Sequence, residues 1–398
     1  MRKNGYIAIK DNVTGFSFAN LGLFTGFAGG LVAAVYALVL LDILGSAAMV
    51  SLYSSIYNVF GLLIALSIGE VLRIFSKSKL FYASLLSVAI VFFMMGFGIK
   101  RETFIMLDLF SLIPLTFIGV LIPLFLADFA GRGGIAGLNG RYIFWMNSGW
   151  LFAPMIAMSI AAVAGLRPVF MVASLVYLLG LFLFKRYGII EMDKKIPKIT
   201  PRKSIRAVLR ETKAYFRNRD YARAYIISFG HFAIRTIRGL YVPIVIIEAG
   251  FTKDILGLVL TAGIIPYIIL AMPVGRLAKK YGKVFTKGGM AFGFIAYSLC
   301  SFLLYFTGGW TMLALFVIWQ IPGAVQETLN DMTFFNVAKG NDRARFFGIF
   351  NTSKKLPRIL TPLMAALFIV VFDTTSAVWL LSGVVGAMSA ALLLWNKK

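Results

Sequence analysis

Charged and reactive side chains are scarce in this sequence. Only 14% of its 398 residues are charged, and it has one cysteine, Cys300, and one histidine, His231. A single cysteine excludes an internal disulfide framework. With one histidine and scattered acids, the sequence offers neither a metal-ligand cluster nor a nucleophile beside a base, and no Gly-rich nucleotide loop. These absences disfavour an enzyme or an ATP-driven pump, and we expect no cofactor and no metal.

Apolar residues are abundant instead. They make up 60% of the chain, and the mean hydropathy is +0.85. A soluble protein of this length needs more charge to cover its surface, so lipid must solvate much of the exterior. Apolar runs of about twenty residues without alternation predict membrane-spanning helices rather than barrel strands. The runs predict twelve spans, at 20–42, 47–70, 80–99, 104–127, 142–165, 168–186, 224–247, 255–277, 286–306, 309–333, 350–371 and 374–396.

The basic residues are distributed asymmetrically between alternate loops. With the N-terminus inside, the predicted cytoplasmic segments hold 34 of the 40 Lys and Arg, whereas the outer loops hold 4. This asymmetry follows the positive-inside rule and predicts cytoplasmic termini in a multi-pass protein of the plasma membrane. The formal charge of +24 is therefore explained by topology, and we expect no nucleic-acid partner.

A basic segment divides the chain into six spans plus six. The prediction is an N-terminal six-helix bundle at 1–186, a cytoplasmic linker at 187–223 and a C-terminal six-helix bundle at 224–398. The linker pattern predicts an amphipathic helix from Ser204. Such a helix either lies on the anionic inner leaflet or belongs to a solvated basic linker, and the sequence does not decide between them. Its apolar positions are Ile205, Val208, Leu209, Tyr215 and Phe216, and its basic positions are Arg206, Arg210, Lys213 and Arg217.

The two halves resemble each other at intervals, which indicates an internal repeat around a central site. Gly140 and Pro154 in the fifth span have the same spacing as Gly348 and Pro362 in the eleventh. A further motif, Gly-Arg-Leu-Ala-Lys-Lys-Tyr-Gly-Lys at 275–283, joins spans eight and nine. It is similar to the short G-x-L-A-D-R-x-G-R signature of the major facilitator superfamily, with a lysine in the acidic position. The chain therefore resembles that superfamily, with no subfamily identified.

The resemblance implies an all-α membrane fold of twelve helices in two six-helix bundles, working as a transporter. It also implies a cytoplasmic gate at the loop after each second span. The first-half loop, 69–77, departs from the signature at Arg73 and Ser76, so Glu70 or Asp128 would have to replace the usual acid. The gate residues implied on both halves, together with a cytoplasmic pair in the second half, are Gly275, Lys279, Lys280, Gly282, Lys283, Glu70, Arg73, Asp128, Asp331 and Arg358.

Span seven carries charge where the membrane is most apolar. His231, Arg235 and Arg238 are spaced i, i+4 and i+7, so they share one helix face. Arginine at this depth costs roughly 2.5–3.5 kcal/mol on insertion scales and marks a functional site by default. Three explanations stay open: the arginines bind an anionic substrate, they pair with fixed acids, or the span is misplaced.

Span ten supplies the partner side chains. Glu327 is predicted at the same depth as His231, and a histidine–carboxylate pair is suited to proton coupling. The alternative is that the single histidine only packs. Glu327 and Asp331, four residues apart, could equally pair with Lys354, Lys355 or Arg358 as a cytoplasmic gate, which is the role expected for Asp331. The predicted substrate-binding residues are Arg235, Arg238, Tyr241, Gln320 and Asn147, and other polar positions that would line the cavity include Tyr36, Tyr57, Asn58 and Tyr267.

The sequence thus predicts a monomeric secondary transporter that moves a small anionic metabolite, coupled to a proton or substrate gradient. A drug-type proton antiporter is the alternative within transport, because residues 149–154 partly match the Gly-Pro motif of that class. Cations at Arg235 and Arg238 disfavour cationic drugs. A membrane-embedded enzyme and a non-transporting sensor are the alternatives outside transport.

Overall fold

Twelve α-helices account for almost all of the computed structural model, which describes residues 15–97, 100–187, 205–338 and 341–395. Their bounds are α1 Gly15–Leu44, α2 Ala47–Ile74, α3 Lys77–Gly96, α4 Arg101–Ala164, α5 Pro168–Tyr187, α6 Ile205–Arg217, α7 Arg219–Glu248, α8 Lys253–Phe306, α9 Gly309–Phe335, α10 Asn341–Lys355, α11 Pro357–Phe372 and α12 Val378–Leu394. The predicted all-helical class is confirmed. This class suits a membrane protein, because backbone groups in lipid must be paired within a helix or a closed barrel.

Two helices are far longer than a bilayer is thick. α4 has 64 residues and α8 has 54, or roughly 80–95 Å at 1.5 Å per residue, against a hydrocarbon core of about 30 Å. Each contains two predicted spans. In α8 the two are separated at Gly282, whose φ of 59° and ψ of −132° break the helix. Eleven helical segments in the described chain are long and apolar enough to cross a membrane, and one of them is the whole of α8.

The eleventh predicted span, 350–371, lies within one helical segment that is long and apolar enough to cross a membrane, Arg345–Phe372. The segment is interrupted at Leu356, between α10, which ends at Lys355, and α11, which begins at Pro357. Proline has no backbone N–H to continue the preceding helix, but it fits the first turn of a new one. The cations of the last turn of α10 therefore lie directly before this interruption.

The helices form two compact units. One comprises Val59–Ile199 with the chain up to Val39, and the other comprises Leu40–Asn58 and Thr200–Lys398. In the first unit, α3 and α5 pack through aromatic rings and through Ser174, whose hydroxyl donates to the Ala89 carbonyl at 2.6 Å. Close backbone contact between α1 and the second half of α4 is possible because residue 149 is glycine: a Cβ there would lie 2.6 Å from the Phe27 nitrogen.

The second unit is built on α7, α8, α9 and α12. α7 is its centre, with most of its residues from Ala224 to Ile246 buried. Asn218 caps this helix by accepting from the backbone N–H groups of Asp220 and Tyr221, at 2.9 and 3.3 Å. The end of α1 and the start of α2 belong to the same unit, where Ser55 donates to the Ile359 carbonyl at 2.9 Å. A buried α7 means that its polar face points at other helices and not at lipid.

Candidate functional site

One carboxylate on α9 serves two cationic side chains on α7. The Oε1 atom of Glu327 is bonded to Arg235 Nη1, and its Oε2 atom lies 2.9 Å from His231 Nε2. His231 and Arg235 are four residues apart, so both project from the same side of α7 toward α9. The predicted contact between His231 and Glu327 is confirmed, and the fixed-acid explanation holds for Arg235.

His231 is buried and bonded at both ring nitrogens. Its Nδ1 atom lies 3.1 Å from Gln326 Oε1, and the Gln326 amide nitrogen donates to the Met290 carbonyl at 3.3 Å. That second bond fixes which end of the amide faces the imidazole. Both ring nitrogens therefore face oxygen acceptors, and only the doubly protonated ring can donate to both of them. The geometry is complete for an imidazolium and loses one bond when the ring is neutral.

We call His231, Arg235, Gln326 and Glu327 the charged cluster. Its members differ in access: His231 is 2% exposed, whereas the side chains of Arg235 and Glu327 are 39% and 36% exposed. The Arg235 guanidinium also lies 5.6 Å from the Phe232 ring centre. The arginine–glutamate pair is thus partly exposed, whereas the histidine bonded to Glu327 is buried.

Arg238 has a different environment from Arg235. Its Nη1 atom donates to Gln320 Oε1 at 3.1 Å, and its guanidinium lies over the Tyr267 ring, 4.7 Å from the centroid. The Tyr267 hydroxyl donates to the same amide oxygen at 3.4 Å. We call these three residues the Arg238 cluster. Across the part of the chain that the structure describes, no ion pair involves Arg238, so its partners are neutral.

Gln320 is held in place by the packing of its neighbour. Trp319 is fully buried and donates from Nε1 to the Ser301 hydroxyl at 2.8 Å. On the α8 side, residue 263 is glycine, and a Cβ there would lie 3.1 Å from Gln320 Cγ. A side chain at 263 would push the amide away, so this glycine and Trp319 together fix the acceptor that orients Arg238.

Two of the predicted substrate residues lie elsewhere. Tyr241 is buried, and its hydroxyl is 2.7 Å from the Ser51 hydroxyl, so it does not join either cluster. Asn147 is half-buried in α4 of the first unit. In that unit Asp108 is 2% exposed and accepts from the Tyr36 hydroxyl at 2.8 Å, which makes it an acid of the helix interior.

The predicted gate residues are partly described. Asp331 pairs with Lys354 across 2.5 Å, one of the three partners expected for it, whereas Arg358 is exposed on α11. In the 275–283 motif, Gly282 makes the turn inside α8 and the Lys280 ammonium lies 5.0 Å from the Tyr281 ring centre. The side chains of Glu70, Arg73 and Asp128 lie outside the described residues.

Sequence reasoning missed how the imidazole is oriented. The roles of Gln326 and of the Met290 carbonyl in fixing His231 were not predicted. An amide directly beside Glu327 within an apolar span is the only signal that pointed to it, since a buried amide needs partners. Ser301 gave less signal, because hydroxyl side chains are frequent in this chain, whereas Tyr267 is one of the predicted cavity positions.

Comparisons with known proteins bear on the fold. The Major Facilitator Superfamily model matches residues 224–398, and no curated protein sequence matches the chain. Among solved structures, the nucleoside transporter NupG has a TM-score of 0.72 at 14% identity, covering 96% of this chain and 99% of its own. A POT family transporter with a thioalcohol-conjugated peptide has a TM-score of 0.76 at 11% identity, covering 96% and 94%.

The helical architecture and these likenesses define the fold of a polytopic membrane protein. The match to the Major Facilitator Superfamily model lies in the half of the chain that carries both clusters. Within the described ranges, no group of three His, Cys, Asp or Glu side chains comes together to hold a metal ion.

If Glu327 holds Arg235 as an ion pair, their substitutions should not add. Arg235→Gln and Glu327→Gln should each lower the apparent unfolding temperature of the purified protein, because each leaves a charge unpaired. The double variant should lower the unfolding temperature by clearly less than the sum of the two single decreases. This corresponds to a coupling free energy of about 0.5–1 kcal/mol between the two side chains, a small value because the pair is partly exposed.

The matched control is Arg223, which lies on α7 and donates to the Trp395 carbonyl at 2.7 Å. Arg223→Gln combined with Glu327→Gln should be additive. Additive losses for the Arg235 and Glu327 pair as well would contradict the ion pair.

Proposed function

We propose that this protein transports a small anionic metabolite by alternating access and that Arg238 contacts the anionic group. The proposal rests on the different partners of the two arginines of α7. Glu327 neutralises Arg235, while the described partners of Arg238 are the amide of Gln320 and the ring of Tyr267. A guanidinium in an apolar bundle without a carboxylate needs an anion or water beside it.

The chemistry of the Arg238 cluster favours a carboxylate or a phosphate. A guanidinium presents its N–H groups as a planar fork that fits both groups, and bonds between charged partners are about twice as strong as neutral ones. Gln320 uses its oxygen toward Arg238, which leaves the guanidinium's other N–H groups for a ligand. A cationic drug would meet the positive charge of Arg238, so the drug-antiporter alternative is not favoured.

Transport of an anion through Arg238 can be tested directly in proteoliposomes. A panel of carboxylates, phosphates, nucleosides and peptides should show uptake of an anionic member. For that substrate, Arg238→Gln should raise the concentration for half-maximal uptake roughly 10–100-fold, as expected for losing a charged hydrogen bond of about 1.5–3 kcal/mol.

Two controls accompany this test. Arg238→Lys keeps the charge but not the fork and should give an intermediate loss. Arg101→Gln removes an exposed cation from the start of α4 and should leave uptake unchanged. Equal half-maximal concentrations in Arg238→Gln and the unsubstituted protein would remove Arg238 from the substrate site.

We also propose that the charged cluster couples transport to protons. Protonated, His231 donates to both Gln326 and Glu327, whereas the neutral ring can donate to only one of them. In either tautomer, the neutral ring no longer places a positive charge beside Glu327, the same carboxylate that holds Arg235. Proton release would thereby change the charge balance next to the Arg238 cluster.

Coupling predicts that His231→Gln separates exchange from accumulation. Glutamine keeps hydrogen bonding but cannot carry a proton, so accumulation driven by a pH gradient should be lost. Exchange of labelled for unlabelled substrate at equal pH on both sides should continue. Accumulation that survives in His231→Gln would show that the proton, if any, moves elsewhere.

The protein is further proposed to act as a monomer in the plasma membrane with both termini in the cytoplasm. The 34-to-4 distribution of cations supports the cytoplasmic placement of both termini, since loops rich in Lys and Arg stay on the cytoplasmic side. Epitope tags added to either end should react with antibody only after cells are permeabilised. Reaction of one tag in intact cells would place the ends on opposite sides.

A further inference from the structure

The short helix α6 presents different chemistry on three sides. Its buried residue is Tyr215, whereas Leu209 and Phe216 are 62% and 43% exposed. Arg210, Lys213 and Arg217 are also exposed. At 100° per residue, Tyr215, Phe216 and Leu209 share one apolar arc of about 120°, and the three cations lie next to its Leu209 edge. The apolar face thus has a buried edge at Tyr215 and an exposed edge at Leu209 and Phe216.

The Tyr215 side is fixed to the second unit. Tyr215 packs in an aromatic cluster with residues from α7, α9 and α10, stacking on Tyr221 at 5.3 Å and meeting Phe346 edge-on at 5.6 Å. Burial raises the pKa of the Tyr215 hydroxyl, so it stays neutral there. A partly exposed ion pair joins Glu211 to Arg345 of α10 across 3.7 Å. α6 is thus a docked helix and not a free linker.

α6 lies beside the ends of two membrane-length helices. The aromatic cluster joins the first turns of α7 to the end of α9, and both helices are long and apolar enough to cross a membrane. Phe216 packs edge-on against Tyr225 of α7 at 5.0 Å. An apolar edge beside a row of cations is the pattern by which interfacial helices insert into the headgroup region of anionic membranes.

We infer that α6 is a binding site for anionic phospholipid, with Leu209 and Phe216 in the acyl region and Lys213, Arg217 and Arg210 at the headgroup phosphates. Charge complementarity and the apolar edge identify the occupant. A protein partner would have no reason to match both the cations and the apolar edge at the level where α7 and α9 end. This site is separate from both clusters on α7 and does not depend on what is transported.

The apolar edge can be tested by spin labelling in vesicles of equal parts phosphatidylcholine and phosphatidylglycerol. In a Cys300→Ser background, nitroxides at Leu209→Cys and Phe216→Cys should collide with oxygen and be shielded from a water-soluble nickel complex. Their accessibility to the two reagents should match that of a nitroxide at Leu299→Cys, an exposed position of the α8 span. A nitroxide at Lys213→Cys should stay accessible to nickel. Nickel access at residue 209 equal to that at 213 would mean a solvated helix, and shielding from both reagents would mean a protein partner; either would overturn the site.

The headgroup side needs a charge-matched comparison. Native mass spectrometry of protein released from the same vesicles should show severalfold less retained phosphatidylglycerol for Lys213→Gln/Arg217→Gln, since each cation near an anionic surface adds measurably to binding. Lys100→Gln/Arg101→Gln removes two exposed cations between α3 and α4 and should not change it. Equal retention in all three proteins would overturn the site.

A docking control separates lipid binding from misfolding. Tyr215→Phe removes a hydroxyl that has no hydrogen-bond partner among the described residues, so it should retain phosphatidylglycerol fully. Tyr215→Ala should release the helix and lower retention as the charge variant does. Unchanged retention in Tyr215→Ala would contradict a site built on the docked helix.

Discussion

The second unit depends on one carboxylate in an apolar environment. Glu327 holds His231 with one oxygen and Arg235 with the other. Removing charges from water costs several kcal/mol per ion unless each is paired and hydrogen-bonded. Because a single acid meets two cations on α7, any change in the protonation of His231 alters the local net charge. This constraint links the fold of α7 against α9 to the chemistry proposed for transport.

Arg238 lies beside this pair but has neutral partners. It lies one turn beyond Arg235 on α7 but is bonded to Gln320 and stacked on Tyr267. These contacts fix the direction of the guanidinium without neutralising it. Glu327 and Gln320 are seven residues apart on α9, so the two arginines are aligned along the same pair of helices. The ion pair of Arg235 and Glu327 therefore lies next to Arg238, whose described partners are neutral.

Much of this arrangement was predictable because membrane helices follow simple rules. Segment hydropathy predicted the spans, and equal depth on antiparallel helices predicted the contact between His231 and Glu327. The sequence could not show which arginine pairs with Glu327, because Arg235 and Arg238 lie on the same face of α7. It also could not predict that Tyr215 is buried while Leu209 and Phe216 on the same apolar face are exposed, since that depends on the aromatic residues of α9 and α10.

The match to the major facilitator superfamily covers residues 224–398, which include both clusters and the 275–283 motif, whereas the first-half loop departs from the family signature. The most direct test of the central claim is a cryo-EM map of the protein with its transported anion bound. The account predicts density for the anionic group within hydrogen-bond distance of the Arg238 guanidinium, with the pair of Arg235 and Glu327 intact. Density on Arg235 with Glu327 displaced, or a ligand that does not contact Arg238, would contradict it.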